Sequence, residues 1–503
     1  MSAKSTESTK SAASALLIGW ASRDVTPERP VVLHGQFHAR ISEGVLDPLT
    51  VTALALESVR DGRPVGQAVL VSCDYVGVSP DLLAAVKSRL GERLPEVDPR
   101  NVCLNATHTH TGPLLYANES ISIGSLPPVK GLGEKDLGAM ESSAYVAFAA
   151  GRIVEAIAEA WAKRAPGGIG FGLGQAVVGH NRRVAYFTGE TRMYGRTDDP
   201  EFSHIEGGVD HSVNLLCTWD ASKQLTGMVV NVACPSQVSE QLYQVSADYW
   251  HETRVELRRR FGAGLFVLAQ CSAAGDQSPH VQVGKPAEER MLKLSGRTQR
   301  QDLGVRIADA VSAVLPVVEK EIDWQPAFAH RVETLELPMR RLEPEDVEPA
   351  RAEAERAREK YEALRADLEA HPEKKKEPRW YVQISAAYAR MRWNQGVEQR
   401  FKDQGKRTTQ SVETHVLRLG SVALATNPFE YYLDFALQIK ARSKATQTFI
   451  VQLAGGGVAS YLPTVRATTG KSYGAIPAST PVGPEGGRML AARTVEIVNE
   501  LMA

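Results

Sequence analysis

The sequence predicts an α/β protein, with a mixed α+β layered sheet core and a helical-hairpin insertion. Short apolar segments of strand length alternate with amphipathic segments of helical period along most of the chain. One long segment breaks this alternation and is dense in Ala, Glu, Arg and Lys, a composition that favours solvated helix. The chain has 43% hydrophobic and 23% charged residues, which is typical of a globular protein.

The charge balance and the cysteines restrict the class of partner and the location. Over 503 residues, 58 Lys and Arg nearly balance 59 Asp and Glu, so the net charge of -1 gives no long-range field that attracts nucleic acid. The five cysteines are odd in number and widely spaced, which indicates reduced thiols. The apolar run near the N-terminus is too short to span a bilayer. We therefore expect a cytoplasmic protein with no transmembrane segment and no nucleic-acid partner.

The apolar periodicity gives the order of the main elements. In the first part of the chain it predicts strands at 51–57, 68–79 and 101–110, and helices at 80–94 and 142–164. In the second part it predicts strands at 212–219, 226–233, 265–270, 415–426 and 448–454, and helices at 250–262 and 487–502.

The composition divides the chain into a tail, a main domain and an insertion. Residues 1–16 are rich in Ser, Thr and Lys and are expected to be a disordered tail. The main domain is expected to comprise residues 17–341 and 409–503, on either side of a charged segment at 342–408.

The charged segment is predicted to fold as a helical hairpin. The basic stretch "HPEKKKEP" lies in its middle and is expected to join two helices. On the first helix, the clear apolar stripe consists of Tyr361, Leu364 and Leu368. Since most of the hairpin then faces water, we expect either a solvated insertion or an arm through which the protein forms homo-oligomers.

The first candidate site is the segment "NATHTHTGP", residues 105–113, which places His108 and His110 two positions apart. If the segment is an extended strand, the two side chains share one face. Neutral imidazole is a common zinc ligand, and a second imidazole beside it can act as a base. The Gly-Pro that follows ends the strand and leaves the histidines at an open rim. The alternative is an accident of strand alternation.

A second candidate site is the segment "LFVLAQCSAAGDQSPH", residues 265–280. A buried strand runs into a loop of small residues, which lets the backbone approach a ligand closely. Asp276, Ser278 and His280 follow. The segment lacks the G-x-S-x-G turn of the α/β-hydrolases, so it gives no usual context for a Ser-His-Asp triad. A Ser-Pro turn with a structural aspartate is the alternative.

Further polar side chains follow other predicted strands. Cys234 stands before a proline at a strand end, and Asp248 and His251 open the next helix. A thiolate is a soft metal ligand, whereas a buried thiol is inert. The C-terminal part adds Asn427, Glu430, Tyr461 and Tyr473. A tyrosine hydroxyl can donate a hydrogen bond to a developing oxyanion, although each of these residues is equally compatible with packing.

Taken together and in this order, these segments resemble the neutral/alkaline non-lysosomal ceramidase family, zinc amidases that cleave the N-acyl bond of ceramide. "THTHTGP" is similar to the family's THTHSGP, "GDQSP" to its GDVSP, "HNRRVAY" to its NRSP-type segment, and "YLPT" with the later Tyr473 to its late pair of tyrosines. The resemblance implies a ceramidase-like catalytic domain in a diverged, bacterial-type member. The family's C-terminal immunoglobulin-like domain is expected to be absent.

The resemblance implies roles for individual residues. The zinc ligand of the THTH motif corresponds to His108, and the histidine beside the metal-bound water corresponds to His110. The arginine of the NRSP-type segment, the serine of GDVSP, the ligand tyrosine and the substrate-polarising tyrosine correspond to Arg182, Ser278, Tyr461 and Tyr473.

Two positions depart from the family pattern. Where the family has a second histidine ligand before a proline, this sequence has Cys234. Where the family has a glutamate ligand, this sequence has Asn427, with Glu430 three residues later. Cysteine can bind zinc, whereas asparagine offers only a neutral oxygen. The implied zinc site therefore consists of His108, Cys234, Asn427 and Tyr461.

These residues predict a zinc-dependent hydrolase of amidase type that cleaves an amide or ester-like bond in a small or amphiphilic substrate, with ceramide itself not favoured. His110 would accept a proton from water, and Tyr473 with Arg182 would stabilise the oxyanion. Ser278 and Asp276 would position the substrate or the water. One alternative is a metal-dependent lyase or carbohydrate-active enzyme with the same pocket. Another is a binding or scaffold protein that has lost the metal.

Overall fold

The structure is a computed structural model that describes residues 14–116, 126–456 and 460–503. The predicted disordered tail lies outside the described residues except for its last three, which begin the first strand. The strands, in chain order, are β1 (Ser14–Asp24), β2 (Val32–Leu33), β3 (Arg40–Ile41), β4 (Gly44–Val45), β5 (Thr50–Arg60), β6 (Arg63–Cys73), β7 (Val102–Ala106), β8 (Ala165–Gln175), β9 (His180–Asn181), β10 (Arg183–Tyr186), β11 (Thr191–Met193), β12 (Phe202–Ile205), β13 (Ser212–Asp220), β14 (Leu225–Val232), β15 (Gln244–Val245), β16 (Phe266–Cys271), β17 (Gln277–Ser278), β18 (Phe328–Pro338), β19 (Thr409–Leu419), β20 (Val422–Thr426), β21 (Glu430–Tyr431), β22 (Gln447–Val451) and β23 (Tyr461–Leu462).

The helices alternate with these strands. In chain order they are α1 (Pro80–Arg93), α2 (Ser142–Ala162), α3 (Tyr249–Phe261), α4 (Lys285–Ser295), α5 (Gln299–Val318), α6 (Pro344–Ala370), α7 (Val382–Asp403), α8 (Leu433–Arg442), α9 (Val465–Gly470) and α10 (Pro484–Met502). Short 3-10 turns occur at Pro99–Asn101, Pro372–Lys376 and Pro477–Ser479. Within the described part of the chain, none of the helices is both long enough and apolar enough to cross a membrane.

Two stacked sheets form the core. The larger sheet has the strand order β16-β14-β13-β8-β1-β5-β6-β7, and the smaller has the order β18-β19-β20-β22. Leu54 and Leu56 of β5 share one apolar cluster with Leu417 of β19 and Phe449 of β22. This cluster lies between the sheets, with helices on their outer faces, and the predicted layered α/β fold class is confirmed.

The strand β5 shows why its sequence is apolar at nearly every position. Leu54 and Leu56 face the smaller sheet, while Ala53 and Ala55 pack with residues of α1 and α2 on the opposite side. A strand that is buried on both faces cannot alternate between apolar and polar residues. The small alanines on the helix side also let α2 approach the sheet closely.

Three parallel strand pairs bring their carboxyl ends to one edge of the molecule. The pairs are β6 with β7, β14 with β16, and β20 with β22. A bridge joins Asn105 to Ala454, and the N–H of Gln452 donates to the carbonyl of Cys271 at 3.1 Å, so the ends of both sheets meet. Loops after parallel strands are the usual place for ligand sites in α/β folds. Most of the candidate residues lie in these loops.

The helices α6 and α7 form the predicted hairpin and pack against the main domain. Tyr361 and Leu368 belong to an apolar cluster that also contains residues of the segment 39–41. The N–H of Ile41 donates to the hydroxyl of Tyr381 at 3.1 Å, and a second backbone N–H of this segment donates to Ser385 at 3.0 Å. The hairpin is therefore fixed to the domain along one side.

A buried ion pair joins α3 to the strand ends. The two guanidinium nitrogens Nη1 and Nη2 of Arg254 lie 2.7 and 2.9 Å from the carboxylate oxygens of Asp74. The same carboxylate accepts from the N–H of Thr50 at 2.9 Å and from the hydroxyl of Thr107 at 3.2 Å. Four chain segments thus meet at one fully buried carboxylate.

We predict that Asp74→Asn lowers the free energy of unfolding by about 3 to 5 kcal/mol, because it leaves Arg254 buried without its counter-charge. The control is Asp198→Asn, which removes the carboxylate of an exposed ion pair with Arg196 and should leave the urea midpoint unchanged. Urea unfolding followed by circular dichroism measures both. Equal effects of the two substitutions would contradict the structural role of Asp74.

Candidate active site at the strand ends

His108 follows β7 in a left-handed backbone conformation. The strand ends at Ala106, and His108 has a φ of 66°, so the prediction that the two histidines alternate on a strand is wrong. The N–H of His108 donates to the carbonyl of Tyr75 at 2.9 Å, and its Nδ1 lies 2.6 Å from the carbonyl of Val76. Because a carbonyl only accepts, Nδ1 carries a proton, and Nε2 on the other side of the ring faces into the site.

His110 contacts Nε2 of His108 from another side of the site. Its Nε2 lies 3.4 Å from Nε2 of His108, and the ring planes are 88° apart. On its other side, Nδ1 lies 3.5 Å from a carboxylate oxygen of Glu240. Burial, together with the charges of His108 and Arg40, lowers the pKa of His110 well below its usual value. The ring is therefore neutral and able to accept a proton.

Glu430 supplies the carboxylate of the site. It lies on β21, directly opposite Tyr461 on the parallel strand β23. Its Oε2 lies 3.4 Å from Nε2 of His108 and 3.8 Å from Nη2 of Arg182. Burial alone would raise the pKa of Glu430, but His108 and Arg182 hold it below its usual value. The side chain is therefore a carboxylate in spite of its burial.

The guanidinium of Arg182 connects the tyrosines around the site. Its Nη2 donates to the hydroxyl of Tyr461 at 3.3 Å and to the carbonyl of Gly275 at 3.0 Å. Its Nη1 donates to the hydroxyl of Tyr194 at 3.2 Å and to Oε1 of Gln237 at 3.3 Å. This buried cation lies beside Tyr461. Tyr194 and Gln237 were not identified from the sequence.

Asp276 holds Arg182 in place from behind. Its carbonyl accepts from the N–H of Arg182 at 2.9 Å. Its carboxylate accepts from Nδ2 of Asn181 at 2.8 Å and from the N–H of Leu433 at 3.0 Å. Since both carboxylate oxygens have internal partners, the structure gives Asp276 a positioning role in place of the predicted contact with substrate or water.

Ser278 lies one side chain away from the groups that face the cavity. Its hydroxyl accepts from the hydroxyl of Tyr194 at 3.1 Å and from the N–H of His280 at 3.0 Å. Tyr194 in turn lines the cavity and accepts from Arg182. Ser278 therefore contacts Tyr194, and the role expected for its hydroxyl stays a prediction.

Cys234 and Asn427, the two unusual members of the implied zinc site, have other partners. The thiol of Cys234 lies 3.5 Å from the carbonyls of Val178 and Pro235, within an apolar cluster. Burial raises the pKa of this thiol well above its usual value, so it stays protonated. Oδ1 of Asn427 accepts from the N–H of Phe429 at 3.1 Å and shapes the turn before β21.

The carboxylate beside His108 thus belongs to Glu430, and the expected metal ligation by Asn427 stays a prediction. Among the residues that the structure describes, no group of three or more His, Cys, Asp or Glu side chains is arranged to hold a metal ion. Nε2 of His108 nevertheless lies 3.4 Å from the carboxylate of Glu430. A tetrahedral zinc ion with bonds of about 2.0 to 2.1 Å holds its ligand atoms about 3.3 to 3.4 Å apart. The chemistry and spacing of this pair, beside Tyr461, fit a metal ion.

A cavity of about 730 Å³ opens above these groups. Its lining includes the predicted residues His110, Arg182, Tyr461 and Tyr473, together with Tyr194, Gln237 and Glu240. Glu240 was not identified from the sequence. It lies in the same loop as Cys234, six positions later, and its place after a strand end could have marked it as a candidate. His108 is buried beneath the lining.

The backbone of Gly35 makes room for the ring of His110. Gly35 has a φ of 110°, and a Cβ there would lie 2.8 Å from Cγ of His110. Gly62, at a φ of 73°, has nothing within 4 Å of such a Cβ.

We predict that Gly35→Ala lowers the free energy of unfolding by about 1 to 3 kcal/mol more than Gly62→Ala does, because only the first substitution places a methyl group against a ring. Urea unfolding checks the difference, and equal costs would contradict the contact.

Comparisons with known proteins agree with this architecture. No family model matches the chain. A neutral ceramidase of Pseudomonas aeruginosa is 27% identical over 178 residues, which is 35% of this chain and 23% of that protein. The crystal structure of neutral ceramidase from Pseudomonas aeruginosa superimposes with a TM-score of 0.66 at 18% identity, covering 97% of this chain and 74% of that one. A ceramidase complexed with C2 gives 0.65 at 17% identity, with 97% and 75% covered. The chain therefore has the fold of the neutral ceramidases, and the resemblance of its motifs to the ceramidase-like family is confirmed.

Proposed function

We propose that this protein is a metal-dependent hydrolase of the ceramidase-like superfamily, which cleaves an amide or ester-like bond in a small or amphiphilic substrate. The observation that carries the proposal is Nε2 of His108, which lies 3.4 Å from the carboxylate of Glu430 beneath a cavity. An imidazole nitrogen and a carboxylate oxygen at this distance share either a proton or a metal cation. The ceramidase fold and the partial sequence match support the hydrolase class.

In this proposal His108, Glu430 and Tyr461 hold a zinc ion. Three protein ligands and an open position are the usual arrangement of a catalytic zinc site. A zinc ion bound there would lower the pKa of a water molecule and so provide a nucleophile at neutral pH. Cys234 is left out of this set, because its protonated thiol packs in an apolar cluster.

Four side chains around the cavity carry the remaining chemistry. The neutral ring of His110 accepts the proton of the attacking water, and the imidazolium that forms is stabilised by Glu240, 3.5 Å from Nδ1. Arg182 presents a permanent positive charge to the developing oxyanion. Burial raises the pKa of Tyr473, so its hydroxyl remains a donor for the same oxyanion.

We predict that Glu430→Gln lowers zinc affinity by about tenfold or more, because it removes the carboxylate ligand of the proposed site. Asn427→Asp is the matched control. It keeps the oxygen that accepts from Phe429 and should leave zinc affinity unchanged. Competition with a chromogenic chelator measures both affinities. A rise in zinc affinity for Asn427→Asp would indicate instead that the side chain of residue 427 binds the metal.

The reaction itself is tested with two substrates, p-nitrophenyl acetate and a short-chain N-acyl amide, after zinc loading. We predict hydrolysis by the unmodified protein, and a loss of about 100-fold or more in kcat for Tyr473→Phe with little change in KM, because the lost hydroxyl acts mainly in the transition state. Absence of hydrolysis of both substrates by zinc-loaded protein would overturn the proposed function.

A further inference from the structure

Three aromatic rings from separate chain segments surround the apolar part of the cavity. The ring centroid of Trp393 on α7 lies 5.1 Å from that of Phe37 and 5.8 Å from that of Tyr473, and Phe37 lies 5.9 Å from Tyr473. Tyr473 also lies 5.3 Å from Tyr461. The aromatic triangle of Phe37, Trp393 and Tyr473 thus places apolar surface directly beside the groups of the proposed reaction.

The aromatic triangle is held together by the docking of the hairpin. Tyr381 and Ser385, near the start of α7, receive hydrogen bonds from the backbone of segment 39–41. Phe37 lies just before this segment, and Trp393 lies further along the same helix. The contact that fixes the hairpin therefore also fixes the distance between the two rings.

Charged side chains of the hairpin line the outer part of the cavity. Arg390 lies 5.6 Å above the ring of Phe37 and 4.0 Å from the carboxylate of Glu353. Arg356 donates to the same carboxylate at 2.7 Å. An alkyl chain that passes over these charged side chains would displace the water bound to them. Because the chain cannot form the hydrogen bonds that the water formed, the displacement costs free energy. A polar head group can replace that water.

We propose that the hairpin selects substrates with a single apolar chain and a polar head, namely single-chain N-acyl amides, and that Trp393 is the side chain that determines this specificity. The proposal rests on the hydrolase function above and names its substrate class. The apolar chain packs on the aromatic triangle, and the polar head faces Glu353 and Arg390. A second long chain that crosses Glu353, Arg356 and Arg390 displaces their water without replacing its hydrogen bonds.

The test uses two amides that share an octanoyl group and a diol head and differ in one alkyl chain, N-octanoylserinol and N-octanoylsphingosine, in the same detergent. Zinc-loaded protein should have a kcat/KM about tenfold or more higher for the single-chain amide. Trp393→Ala should raise KM for that amide about fivefold with kcat nearly unchanged, and Trp393→Phe should restore it. Trp380→Ala is the control, since this tryptophan of the hairpin packs near Lys375 instead.

A binding measurement distinguishes failure of this proposal from failure of the proposed hydrolase function. If p-nitrophenyl acetate is hydrolysed but the two amides are cleaved equally, or Trp393→Ala and Trp380→Ala behave alike, the selection by the hairpin is overturned and the hydrolase stands. If nothing is hydrolysed, calorimetric titration of N-octanoylserinol decides. Binding that weakens about fivefold in Trp393→Ala and returns in Trp393→Phe supports the hairpin site, and absence of binding overturns it.

Discussion

The contact between Asp74 and Arg254 is the constraint on which the candidate site depends. Asp74 stands at the end of β6, and the carbonyls of the next two residues receive the backbone and the ring of His108. Thr107, immediately before His108, donates to the same carboxylate. The ion pair thus fixes both sides of the loop that aims the imidazole. A fully buried charge pair costs desolvation energy, so here it contributes position more than stability.

The two histidines lie between two carboxylates whose surroundings differ. Glu430, next to His108, is held as a carboxylate by the neighbouring positive charge of Arg182. Burial dominates at Glu240, next to His110, and raises its pKa. When their surroundings give two carboxyl groups different pKa values, the two groups can take different chemical roles. The two carboxyl groups on either side of the histidine pair thus have pKa values shifted in opposite directions.

The fold was largely predictable from the sequence, whereas the site was predictable only in part. Apolar runs such as that of β5 identify strands, because a strand that is buried on both faces is apolar at nearly every position. The motif around His108 and His110 identified the right loop. Its conformation was not predictable, because the carbonyls of Tyr75 and Val76, distant in sequence, set the φ of His108. The register of a two-residue strand pair likewise places Glu430 opposite Tyr461, and no local sequence pattern encodes that register.

The two faces of the hairpin differ in composition and in contacts. On its outer face, Arg358 pairs with Glu355 and Glu362, contacts that an isolated solvated helix would also make. Such pairs dominate the composition and favour the interpretation as a solvated insertion. On the inner face, a few side chains carry the contacts to the domain, and Trp393 reaches the cavity. A charged helix can therefore face water along most of its surface and still contribute to the lining of a cavity, because one aromatic side chain changes that lining and barely changes the average composition of the helix.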